Sequence, residues 1–82
     1  MVIMLFNVPA DASVDELRDF LAGHGMSDAS DLELVPGDGS QPAATFRLPV
    51  SASVAETVAE HLKGKVWREH VLGAQALLMT SH

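Results

Sequence analysis

The stretch that decides the fold is Ile3–Pro9, read IMLFNVP. It is a near-continuous apolar run of strand length, and with Val2 it predicts a strand over Val2–Val8 buried on both sides. The run ends in Asn7-Val8-Pro9, and Pro9-Ala10-Asp11 reads as a turn. Ser13-Val14-Asp15-Glu16 then has the form of a capping box, in which the serine hydroxyl takes a free amide and the glutamate reaches back. Leu17, Phe20 and Leu21 follow at helical spacing, with Arg18 and Asp19 facing out. Gly23-His24-Gly25 stops that helix and supplies a glycine for the left-handed position beyond it.

Working outward, Met26–Asp31 reads as a polar turn and Asp31–Val35 as a strand with Leu32 and Leu34 inward. Pro36-Gly37-Asp38-Gly39-Ser40 is a dense turn cluster suited to a hairpin loop. Ala43–Leu48 alternates, placing Ala44, Phe46 and Leu48 on one face and Thr45 and Arg47 on the other. After Pro49, Ser53-Val54-Ala55-Glu56 has the form of a second capping box, opening a helix with Val54, Val58, His61 and Leu62 on or near its inner side. Lys63-Gly64-Lys65 closes it. Val66–Leu72 reads either as a loop or as a short extra hairpin, and Ala74–Met79 as a last strand, with residues 79–82 as a frayed tail.

The order is β-α-β-β-α-β within one domain over residues 1–82. It also carries a weak internal echo, since PADASVDELRDFLAGHG from Pro9 lines up with PVSASVAETVAEHLKGK from Pro49. Two β-α-β halves make up the ferredoxin-like α+β sandwich: a four-stranded antiparallel sheet with two helices on one face and the other face open. A chain of 82 residues with 48% hydrophobic residues can build one compact core, although at this size it buries only about 60–65% of its unfolded surface. There is no cysteine, so disulfides and thiolate metal sites are excluded. No apolar run reaches the roughly 20 residues of a membrane span, and no basic segment with a long apolar core suggests a signal peptide. A cytoplasmic protein is the expectation. Five Lys/Arg against eleven Asp/Glu leave a net charge of −6, which works against nucleic-acid affinity built on phosphate neutralisation.

Over nearly its full length the chain resembles the RNA recognition motif family. The family's first signature, aliphatic-aromatic-aliphatic-x-Asn-Leu and commonly a proline, is similar to Ile3-Met4-Leu5-Phe6-Asn7-Val8-Pro9. The helix SVDELRDFLAGHG, the stretch AETVAEHLKGK and Gly73-x-x-Ala76-x-Leu78 resemble the family's two helices and the start of its last strand. The family's aromatic falls on Met4, and its second signature meets Gln41-Pro42-Ala43-Ala44-Thr45-Phe46. With Phe46 in the core, Ala43 and Thr45 occupy the two stacking positions. A register shifted by one would free Phe46 for stacking but bury Arg47, and an unpaired buried arginine is costly. The internal echo, which aligns Phe6 with Phe46, points the other way.

The resemblance implies a non-catalytic protein that binds single-stranded RNA on the open sheet. Met4, Phe6, Thr45 and Arg47 would act there, with Lys65, Trp67 and Arg68 from the flanking loop. The alternative is the same fold with an apolar sheet face (Val2, Met4, Phe6, Val35, Leu77 and Met79) that binds a protein partner or a second copy. A small-molecule-sensing ferredoxin-like domain working as a dimer is a third option. Each residue also has a plain structural role open to it. Arg47 can pair with Glu33 across the sheet. Lys63, Lys65 and Arg68 can oppose the dipole at a helix C-terminus, Trp67 can cover the edge of the core, and His24 can be a partly buried core histidine. The histidines form no ligand set, Ser13 and Ser53 are explained by capping, and Gly37-Asp38-Gly39 lacks phosphate-loop spacing. No enzyme, cofactor or metal is expected.

Overall fold

The computed structural model describes residues 1–35 and 42–77. It is an α+β arrangement of β1 (Val2–Phe6), α1 (Val14–Gly23), β2 (Ser30–Val35), β3 (Ala43–Arg47), α2 (Ala52–Leu62), a two-stranded hairpin of β4 (Val66–Trp67) and β5 (His70–Val71), and β6 (Gly73–Leu77). The main sheet has the order β2-β3-β1-β6, with every neighbouring pair antiparallel. The turn cluster at Pro36–Ser40 and Met79 lie outside the described residues.

Strand β1 is central, and its alternation sets the two faces of the sheet. Ile3 and Leu5 are fully buried and join Ala44 and Phe46 of β3, while Val2, Met4 and Phe6 point the other way. Leu17 and Leu21 of α1 and Ala55 and Leu62 of α2 complete the same core cluster. Both helices therefore cover the face that holds Phe46. Phe46 is 1% exposed and pairs with Ile3 across the ladder. Phe6 and Phe46 thus stand on opposite faces, against the alignment suggested by the internal echo.

Helix α1 starts as its sequence dictates. The Glu16 amide donates to Ser13 Oγ at 3.2 Å, and the Ser13 amide donates to Glu16 Oε1 at 2.9 Å. It ends in a Schellman turn: Gly25 sits at φ +85, and the Met26 amide donates to the Leu21 carbonyl at 2.8 Å. That turn folds Met26 back into the core at 6% exposure, although its neighbourhood read as polar.

Helix α2 departs from expectation at its start. The N-cap is Ser51, whose Oγ accepts from the Val54 amide at 3.4 Å, so the helix begins before Ser53. Ala55, Ala59 and Leu62 face inward with Val58 packed against the core, while Val54 and His61 are exposed. The reason is close approach. Helix α2 lies against β6, where Ala74 and Ala76 pack on the core, and two alanine surfaces meet more closely than valines would allow.

Val66–Leu72 forms the extra hairpin, with Trp67 opposite His70 and a two-residue turn at Arg68-Glu69. Both turn residues have positive φ, +51 and +69, as a type I′ turn requires, yet neither is Gly or Asn. Each non-glycine residue there costs roughly 1–2 kcal/mol. The hairpin is held by its surroundings. Trp67 stacks on Phe20 with ring centroids 4.8 Å apart, Arg68 pairs with Asp11 at 3.7 Å and also with Glu16, and Asn7 Nδ2 donates to the Val71 carbonyl at 2.9 Å. Glu69→Gly is expected to stabilise the domain by about 1 kcal/mol, a rise in melting temperature of roughly 4–8 °C. Thermal unfolding followed by circular dichroism checks it, and a lower melting temperature would contradict the strained-turn account.

Candidate nucleic-acid interface

The open face can be written as three cross-strand rows, because partners in an antiparallel ladder share a side. The first runs Leu77, Val2, Arg47; the second Gln75, Met4, Thr45, Glu33; the third Gly73, Phe6, Ala43, Val35. Four of the residues expected to bind, Met4, Phe6, Thr45 and Arg47, are brought together here. Ala43 is on this face too but is buried between Phe6 and Val35, so it offers no surface. Among the described residues no helix lies on this side, and the β4–β5 hairpin packs toward α1 and leaves the face clear.

Phe6 is the one aromatic of the face, at 38% exposure. Its side chain leans over the neighbouring strand. A Cβ built on Gly73 would stand 3.4 Å from both Cβ and Cδ2 of Phe6. Small residues on both sides, Gly73 and Ala43, therefore seat the ring and leave part of it to solvent. A valine at residue 73 would drive its methyl groups into the ring. Gly73→Val is expected to keep the fold, since valine suits a strand, but to shift the Phe6 ring-proton signals and weaken any ligand stacked there, whereas Gly73→Ala leaves both near wild type. Unchanged Phe6 signals in the valine variant would show that Gly73 does not seat the ring.

The third strand supplies the only cation of the three rows. Arg47 Nε lies 3.3 Å from Asp31 Oδ2, so its partner is Asp31 and not Glu33. The cause is a β-bulge: Asp31 and Leu32 on β2 stand opposite the single residue Phe46, between the pairs Ser30–Arg47 and Glu33–Thr45. Asp31 takes φ +51 at the bulge. Both side chains of the pair are largely exposed, so the pair contributes at most about 1 kcal/mol and leaves Arg47 free to exchange partners. Glu33 is exposed and enters none of the ion pairs of the described residues.

The flanking-loop residues do not join this face. Trp67 is 9% exposed, belongs to the core cluster and has a ring face covered by Phe20, so it closes the core edge and is not available for a base. Arg68 is directed to Asp11 and Glu16 at the start of α1. Lys65 lies outside the three rows, and its main chain pairs with Leu72. His24 is half-buried against Phe20, ring centroids 4.6 Å apart. Two contributors to the face escaped sequence reasoning. Gln75 stands beside Met4, and the parity of Gly73 and Leu77 on β6 was the signal for it; Asp31 is aimed by the bulge, which left no sequence signal.

No family model matches this chain, and neither does any curated protein or solved structure. The class that the geometry defines is an α+β domain with one face of a four-stranded antiparallel sheet packed under two helices. The other face is a surface of one aromatic, several aliphatic side chains and a few hydrogen-bonding groups. Among the described residues no group of three or more side chains could hold a metal ion.

Proposed function

We propose that this chain is a non-catalytic binding domain with a ferredoxin-like topology, akin to the RNA recognition motif, and that it takes single-stranded RNA on its open sheet face. The observation that carries this is Phe6, half-out on the central strand and seated over Gly73, with its outer side free for a base. The topology is supported by the strand order, in which β1 and β3 lie between β2 and β6. Base stacking on an aromatic is worth about 1–3 kcal/mol per base. Met4 extends the apolar platform, Thr45 and Gln75 offer hydrogen bonds to base edges, and Arg47 meets a phosphate by leaving Asp31.

The charge distribution sets the character of that binding. Of five Lys/Arg, Arg18, Arg47 and Arg68 already pair with carboxylates. Affinity then comes from stacking, with few counterions released. The expected slope of log affinity against log salt is shallow, about −0.7 for the single phosphate that Arg47 can meet. The test is a titration of amide signals with a degenerate pool of short RNA oligonucleotides at about 50 mM salt. Shifts at Met4, Phe6 and Thr45 are expected, and no response would defeat this reading.

A second reading is favoured by the aliphatic residues around Phe6. Val2, Met4, Val35 and Leu77 share its face, and apolar patches mark protein partners. The same surface would then hold another protein or a second copy of this chain. That predicts a mass that rises with concentration, or capture of a partner, lost in Met4→Asp. If Met4→Asp changes neither, the protein-contact reading fails.

A further inference from the structure

At the bulge on β2 lies a recess of about 540 Å³ between β2 and β3, at the opposite end of β1 from Phe6. Val2, Asp31, Glu33, Thr45 and Arg47 are among its lining residues. The recess thus combines an aliphatic wall, a hydroxyl, and a guanidinium with two carboxylates: Asp31, which holds Arg47 at 3.3 Å until a phosphate takes its place, and Glu33, which enters none of the ion pairs of the described residues. A simple cation would meet Arg47 and a simple anion would meet Glu33, so neither suits it. A nucleotide carries both complements, with N–H donors on the base edge and a negative phosphate beside it. From Val2 to Phe6 is four steps along β1 at about 3.3 Å each, so the recess and the Phe6 platform serve different nucleotides of one strand.

We infer that this recess is a nucleobase subsite with a preference for guanine, Glu33 accepting from the base edge and Arg47 meeting the adjacent phosphate; the inference rests on the RNA reading above. An ionised carboxylate only accepts hydrogen bonds. Guanine offers N1–H and N2–H side by side, matching the two oxygens of Glu33. Cytosine and adenine offer an amino group without the second donor. Uracil offers one N–H between two carbonyl oxygens, which a carboxylate repels. Good bidentate pairs of this kind discriminate bases by roughly 5- to 150-fold.

The test uses uridine hexamers, all-uridine or with one central guanosine, inosine, cytidine or adenosine, titrated at low salt and followed by amide shifts. Guanosine is expected to bind at least about fivefold tighter than all-uridine, with inosine, which lacks the amino group, in between. The shifts specific to guanosine should fall on Val2, Glu33, Thr45 and Arg47. Glu33→Gln should bring the guanosine hexamer to the uridine level while leaving uridine binding at Phe6 intact. Equal affinity for all hexamers, or a guanosine preference that survives Glu33→Gln, overturns the subsite and leaves the RNA reading standing. Failure of every hexamer to bind overturns both.

Discussion

Replacing Phe46 with alanine is expected to destabilise the domain by about 3–5 kcal/mol, the usual cost of removing a buried aromatic ring and leaving its cavity. Phe46 is among the largest fully buried side chains, sits on a strand flanked on both sides, and meets Ile3 across the ladder. Helices pack over it from one direction and the backbone of the sheet closes the other, so the site cannot collapse to fill the void. A domain of this kind has about 5–15 kcal/mol of stability in total, and small domains lie toward the lower end. Phe46→Ala should therefore shift the urea midpoint by a large fraction of its value with little change in slope. A loss below about 1 kcal/mol would mean that the ring is not a core residue and that the strand register is wrong.

Phe6→Ala should do the reverse. The ring is partly exposed and rests on Gly73 and beside Ala43, with no helix above it. Stability should fall far less than for Phe46→Ala, while affinity for single-stranded oligonucleotides should fall by the value of one stacked base, about 1–3 kcal/mol or roughly 5- to 150-fold. Phe6→Tyr keeps the π-face and should retain binding. The two measurements, urea midpoint and oligonucleotide titration, are made on the same preparations. If Phe6→Ala costs as much stability as Phe46→Ala and leaves binding unchanged, Phe6 is a cover for Ala43 and not a platform.

The contrast between these two phenylalanines shows how much was legible beforehand. Both lie in apolar strands, and local composition treats them alike. The cost of burying Arg47 next to Phe46 broke the tie in the right direction, because a one-residue slip moves every side chain of a strand to the other face. Alternation likewise placed Leu32, Leu34, Ala44 and Leu48 toward the core. On α2 the helical spacing placed Val58 and Leu62 correctly against the core but missed at Val54 and His61, which are exposed. There, backbone distance decided the inner face, and Ala55 and Ala59 lie where α2 meets β6.

Local chemistry along the chain specifies the order of the main elements, the capping box at Ser13, the glycine stop at Gly25, and which residues share a face within β1 and within β3. The causes are a hydroxyl three residues before a carboxylate, a glycine free to take positive φ, and a two-residue period. Tertiary structure alone decided the β4–β5 hairpin, the burial of Trp67, the turn of Arg68 toward α1, and the pairing of Arg47 with Asp31. Each of those depends on a partner distant in the chain. A turn without Gly or Asn forms at Arg68-Glu69 because Phe20, Asp11, Glu16 and Asn7 hold the hairpin on either side of it. The bulge beside the recess arises where β2 is registered on β3, a relation between two strands that neither strand specifies alone.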